Sequence, residues 1–178
     1  MQTFELKAHP ASAPLQVRSI SARLAELPDG RLMLRCRVDG CERLVVPTYR
    51  GKGRGEELWK TTCFELFLAR EGGRYREFNF SPSGQWAAYA FEGYRELAGN
   101  FDPYDTPDIT HQTGMSMFVQ TVFLDGRELE DAHCASITAV IEEEGGHLSY
   151  WALEHSGAKP DFHDPACFSI PLASPPER

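Results

Sequence analysis

The sequence contains no CxxC pair, no glycine-rich loop in phosphate-binding order, and no apolar run near the ~20 residues a membrane-crossing helix needs. Zinc ribbons, dithiol redox centres, P-loop nucleotide binding and helical membrane spans are set aside on those grounds. The stretch Gly51-Lys52-Gly53-Arg54-Gly55-Glu56-Glu57 is rich in glycine, but it lacks the P-loop order and its two acids disfavour phosphate. Basic residues are also scarce: 18 Lys and Arg stand against 26 Asp and Glu, a formal net charge of -8. Such a surface repels polyphosphates and anionic bilayers, so neither nucleic acid nor membrane is an expected partner. No internal repeat or low-complexity tract is present. Met1 to Pro10 lacks the basic and apolar regions of a signal peptide, so a cytoplasmic location is the expectation.

Helical periodicity is as sparse as basic charge. Its best candidate is a short piece around Arg127 to His133. The cysteines Cys36, Cys41, Cys63, Cys134 and Cys167 are odd in number, and three of them (Cys36, Cys63 and Cys134) sit in or beside apolar strand-like runs. They read as buried free thiols.

What the sequence does have is alternation. Strand-like runs fall at Gln16–Leu24, Arg31–Val38, Leu44–Thr48, Cys63–Leu68, Tyr75–Phe80, Gln85–Phe91, Met117–Leu124, Ser136–Glu142, His147–Glu154 and Phe168–Leu172. Asp29-Gly30 and Gly145-Gly146 supply hairpin turns. Arg50 to Glu57 and Asn100 to Gly114 read as loops able to border a site. With 178 residues and 42% hydrophobic content, the chain can build one core. The expected architecture is all-β: a two-sheet antiparallel sandwich of jelly-roll or immunoglobulin-like kind with little helix. One domain is expected over residues 1–173, followed by a flexible tail at 174–178.

The segment Leu58 to Tyr94 says most about function. In its first strand Phe64, Leu66 and Leu68 share one face and Cys63, Glu65 and Phe67 the other, so a carboxylate interrupts an apolar face. A hairpin closed by Ser81-Pro82-Ser83-Gly84, with Phe80 opposite Gln85, puts Tyr75, Glu77, Asn79 and Trp86 on one side above Ala88 and Ala90. Phe78, Phe80, Ala87, Tyr89 and Phe91 then form the packing side. A tryptophan beside small alanines and fixed polar groups suits a shallow site for a polar ligand such as a sugar, whose C–H face stacks on an aromatic ring while its hydroxyls take hydrogen bonds.

At these residues the chain resembles the DOMON-like domains related to family 9 carbohydrate-binding modules. The likeness lies in Leu58-Trp59, Cys63-Phe64-Glu65-Leu66-Phe67-Leu68, Glu77-Phe78-Asn79-Phe80-Ser81-Pro82-Ser83-Gly84 and Trp86-Ala87-Ala88-Tyr89. It continues in Ser149-Tyr150-Trp151-Ala152-Leu153, His155 and Lys159-Pro160-Asp161-Phe162-His163. The resemblance implies a β-sandwich, and relatives that bind sugars or b-type haem. Carried over from the sugar binders it implies ligand contacts at Trp59, Trp86, Glu65 and Asn79, to which the alternation adds Glu77. A haem site would call on Met115 or Met117 with a histidine.

The remaining chemistry-bearing residues are weaker candidates. His155, Asp161, His163 and Asp164 cluster near the end, and His155, Asp161 and His163 could ligate a metal, but their spacing matches no defined metal motif. Calcium on acidic loop oxygens is a further option. Glu65 and Glu77 could face each other as glycosidase carboxylates do, but two glutamates on one sheet are ordinary without chemistry. Glu142-Glu143-Glu144 reads as a solvated strand end. The expectation is therefore a non-catalytic module that binds a small, carbohydrate-like ligand on a concave sheet face and carries no cofactor. The alternatives are a protein-interaction module, as a homodimer or with another protein, and a b-type haem domain.

Overall fold

The computed structural model describes residues 2–173, and the expected tail at 174–178 lies outside the described residues. Alternation becomes thirteen strands. They are β1 (Thr3–Ala8), β2 (Ser19–Glu26), β3 (Arg31–Asp39), β4 (Gly53–Arg54), β5 (Cys63–Arg70), β6 (Tyr75–Phe80), β7 (Gln85–Gly93), β8 (Glu96–Asn100), β9 (Asp108–Thr113), β10 (Met117–Asp125), β11 (Ala132–Glu143), β12 (His147–Ala152) and β13 (Ile170–Pro171). Among the described residues only short 3-10 turns are helical. The piece expected as helix around Arg127 to His133 is one of these, Gly126–Leu129, because β11 has already begun at Ala132. Leu44–Thr48 is not a strand either. Leu44 makes a single bridge to Glu143, and the following loop leaves toward β4.

The strands hydrogen-bond as one continuous, curled sheet in the order β4-β7-β6-β5-β11-β12-β1-β2-β3-β10-β9, with β13 beside β11 and β8 beside β7. All pairs are antiparallel except β4 with β7. The β content and antiparallel pairing agree with expectation, but two separate sheets do not. The difference lies in β1, whose Thr3 to Leu6 pair with β2 while Lys7 and Ala8 pair with β12. One strand thus joins two limbs of the sheet.

The limbs fold toward each other over a common core. Phe64, Leu66 and Leu68 of β5, Phe78 and Phe80 of β6, and Ile137 and Ile141 of β11 meet Ile20 of β2, Leu32 and Leu34 of β3, and Phe118 of β10. Phe64 and Phe118 stack across the interior with ring centroids 6.0 Å apart. Gln120 of β10 donates to the Phe80 carbonyl at 3.2 Å, a polar tie between limbs. Each such large apolar side chain, once buried, contributes about 1.5–3 kcal/mol of transfer free energy. Because successive residues alternate, burying this face of β5, β6, β7 and β11 turns their other side chains outward.

One clamp closes an end. Glu143, fully buried at the end of β11, accepts the backbone N–H groups of Leu15, Gln16 and Val17 at 2.6, 2.8 and 2.7 Å and so pins the β1–β2 connection. Burial alone would raise its carboxyl, but the three N–H dipoles hold it below the usual range. This glutamate was expected on a solvated strand end; instead its side chain is the acceptor for an otherwise unpaired loop backbone. The thiols of Cys36, Cys41, Cys63 and Cys167 are buried and unbridged, and Cys134 is half-buried.

Candidate functional site

The β6–β7 hairpin closes one residue tighter than the expected register. Ser81 N–H donates to the Gln85 carbonyl at 2.9 Å, and Gly84 takes φ +88°. A left-handed glycine lets three residues close the hairpin in place of four, so Phe80 opposes Trp86, Asn79 opposes Ala87 and Glu77 opposes Tyr89. A one-residue slip transfers every side chain of β7 to the other face. Trp86 therefore joins Phe78 and Phe80 in the core, only 7% exposed, with the Arg54 guanidinium 4.5 Å from its ring centroid. Tyr89 and Phe91, expected in the packing face, come out beside Glu77 and Tyr75 instead.

The outer face of this limb now reads in rows across the strands. Thr138 of β11, Glu65 of β5, Asn79 of β6 and Ala87 of β7 form one row; Phe67, Glu77 and Tyr89 form the next. Thr138 donates to Glu65 Oε2 at 3.0 Å, and Asn79 Nδ2 donates to Glu77 Oε1 at 3.3 Å. Glu65, Glu77 and Asn79 are all buried, at 2%, 6% and 0% exposure, far below what is usual for such residues. Desolvation, reinforced by the neighbouring Glu77 charge, pushes the Glu65 carboxyl well above its ordinary range. Burial also raises Glu77, to about 7, although the Arg95 cation works against the shift.

Above this floor lies a hollow of about 460 Å³, lined by Trp59, Glu65, Glu77, Tyr89, Phe91, Arg95, Leu97, Val140, Tyr150, Pro160, Phe162 and His163. Three segments distant in sequence make its wall. Trp59 sits in the 3-10 turn Leu58–Lys60, which buried Leu58 anchors; its own ring remains 46% exposed. Tyr150 of β12 meets Phe162 of the closing loop edge-on, ring centroids 6.1 Å apart. Arg95 follows β7 in a left-handed turn (φ +53°) and donates to Asp161 Oδ1 at 2.8 Å, while the Tyr94 hydroxyl donates to the other Asp161 oxygen. The β7–β8 turn is thus clasped to the loop that carries Phe162 and His163.

His163 is packed between Phe67, Tyr75 and Phe91. This apolar nest, with the Arg95 cation nearby, lowers its imidazole to about 4 against the opposing pull of Asp161, so the ring is neutral. The Tyr75 hydroxyl oxygen accepts from the Arg95 backbone N–H at 3.1 Å and lies 2.7 Å from His163 Nδ1. Both are satisfied when Tyr75 O–H donates to Nδ1, which assigns the ring proton to Nε2, 3.8 Å from Glu77 Oε2.

Of the residues read from sequence, Trp59, Glu65 and Glu77 line the hollow. Asn79 lies beneath it, holding Glu77, and Trp86 lies on the opposite face of the sheet. His155, Asp161 and His163 are not brought to a common point. His155 Nε2 is bonded to the Lys7 carbonyl at 2.7 Å, Asp161 is held by Tyr94 and Arg95, and His163 belongs to the hollow. No group of three or more metal-ligating side chains is gathered among the described residues. Met115 is 96% exposed, and neither Met115 nor Met117 lines the hollow. Sequence reasoning missed Tyr89 and Phe91 through the register, and Arg95, Tyr150 and Phe162 because nothing local ties them to Glu77. The repeated aromatic-polar pairing in Tyr94-Arg95 and Asp161-Phe162-His163 was the available signal.

No family model matches the chain, and none of the curated proteins is similar to it in sequence. Solved structures do superpose on it. A protein of Bacteroides uniformis ATCC 8492, described as a "putative carbohydrate-binding protein", superposes with a TM-score of 0.60 at 16% identity, covering 94% of this chain and 84% of that one. A carbohydrate binding module of family 9 from Caldicellulosiruptor kristjanssonii, in complex with cellotriose, gives 0.42 at 10% identity, covering 84% of this chain and 72% of that one. At 16% identity the likeness is one of fold.

Proposed function

We propose that this chain is a non-catalytic carbohydrate-binding module, DOMON-like in kind, forming one domain over residues 1–173 with the hollow above Glu65 and Glu77 as its ligand site. The observation that carries the proposal is the hollow itself: buried, mutually bonded polar groups in the floor and aromatic faces around the wall. That combination matches the two surfaces of a sugar, an apolar C–H face and a ring of hydroxyls. The carbohydrate binding ascribed to the Bacteroides uniformis protein of similar fold supports the same reading.

The test is calorimetric titration of the purified protein with a panel of mono- and oligosaccharides, repeated on Trp59→Ala and Tyr150→Ala. Saturable binding of a sugar, weakened about tenfold or more in either variant, is the expected result. A panel without a binder, or binding indifferent to both substitutions, would remove the hollow as a sugar site.

A further inference from the structure

We propose that the sugar taken by the hollow is an amino sugar, its ammonium group seated between Glu77 and the aromatic wall. The inference rests on the reading of the hollow as a sugar site and narrows its ligand by charge.

Glu77 carries the argument. One of its oxygens, Oε1, accepts from Asn79. The other, Oε2, is 3.8 Å from His163 Nε2, beyond hydrogen-bonding reach, which leaves it open to a donor in the hollow. Beneath it, Asn79 Oδ1 is buried without a partner, and Asn79 stands directly opposite Glu65. Glu65 accepts from Thr138 through Oε2, and burial favours its neutral form. The side-chain contacts of the floor are thus Thr138 O–H to Glu65 and Asn79 N–H to Glu77, with Glu77 Oε2 facing the hollow unbonded.

Arg95 acts on the Glu77 charge only at a distance, and among the described residues no ion pair with a permanent cation engages it. Among the described residues Arg95 is the one cation lining the hollow, and it is paired with Asp161 at 2.8 Å. His163 is neutral, and Tyr75 and Tyr89 have their hydroxyls pushed further from ionisation by burial. The Cys63 thiol, in the row beyond Glu65, is likewise held neutral by burial. Around this single carboxylate stand Trp59, Tyr89, Tyr150 and Phe162, whose ring faces attract a cation. An ammonium group finds both kinds of partner here. A uronic acid finds Glu77 and no unpaired cation.

The test is titration calorimetry of the whole protein at pH 7 with four trisaccharides: cellotriose, the glucosamine trimer, the N-acetylglucosamine trimer and a glucuronic acid trimer. The glucosamine trimer is expected to bind about tenfold more tightly than cellotriose, and the glucuronic acid trimer least. In Glu77→Gln, which keeps shape and removes charge, that preference is expected to shrink to about twofold or less. Equal affinity for the four, or a preference that survives Glu77→Gln, overturns this inference and leaves the sugar site standing. Binding of none of the four overturns both.

Discussion

Phe80 stands directly across the β6–β7 hairpin from Trp86, and this pairing places the indole in the core and the neighbouring Tyr89 in the hollow. The side of the sheet that a tryptophan occupies here follows from a single glycine in the turn, Gly84 at φ +88°.

That position predicts what its removal does. Trp86→Ala empties space between Phe80 and the Arg54 guanidinium and is expected to cost about 3–5 kcal/mol of unfolding free energy, read by urea denaturation. Sugar affinity of the folded fraction is expected to stay within about twofold. A loss under about 1 kcal/mol would place the indole outside the core.

Glu77 sets a pH dependence whose sign follows from linkage. Its folded-state carboxyl is raised by burial to about 7, so between its ordinary range and 7 the folded state holds more proton than the unfolded one, and stability falls as pH rises. His163, lowered to about 4, contributes the opposite slope, but that is spent by the ordinary imidazole range near 6.5. Above pH 6.5 the carboxyl effect is left to dominate. Glu77→Gln is expected to gain on the native chain by about 2 kcal/mol between pH 5 and pH 8, measured by denaturation at each pH. A difference that does not change with pH would mean that Glu77 is ionised throughout.

Glu143 acts in the other direction. Its carboxyl is held low, so its contribution is present above the ordinary carboxylate range and lost as pH falls through the lowered value. Glu143→Ala strands the N–H groups of Leu15, Gln16 and Val17, and a loss of about 3–5 kcal/mol at pH 7 is expected. Hydrogen exchange at those three amides should rise markedly in the variant. Unchanged exchange would show that another group holds the loop.

The cysteines give a chemical check on burial. Desolvation raises Cys36 to about 12 and Cys63 well above its usual range, and with nearby carboxylates it raises Cys167 to about 11. Thiolate is the reactive form, so a thiol reagent is expected to label at most Cys134 quickly in the native chain and all five cysteines after unfolding. Rapid native labelling of Cys36 or Cys63 would contradict the packing.

Much of this was legible in the residues. The two faces of β5 are as alternation implies, with Phe64, Leu66 and Leu68 inward and Glu65 among the outward set, and Glu65, Glu77 and Trp59 do meet in one hollow. β1 was not found. Its six residues carry one buried side chain, Leu6, and its purpose is to pair with β2 on one half and with β12 on the other.

By itself the sequence determined most of the strand content, the inward face of β5 and the presence of a carboxyl group, Glu65, on its outward face, because alternation is a property of neighbouring residues and survives any packing. Tertiary structure alone decided the hairpin register, the burial that raises the Glu65 carboxyl, and the wall built from Trp59, Tyr150 and Phe162. The reason is physical. A one-residue difference in a turn inverts a whole strand, and the desolvation that shifts a carboxyl depends on side chains brought from β12 and the closing loop, far away in the chain.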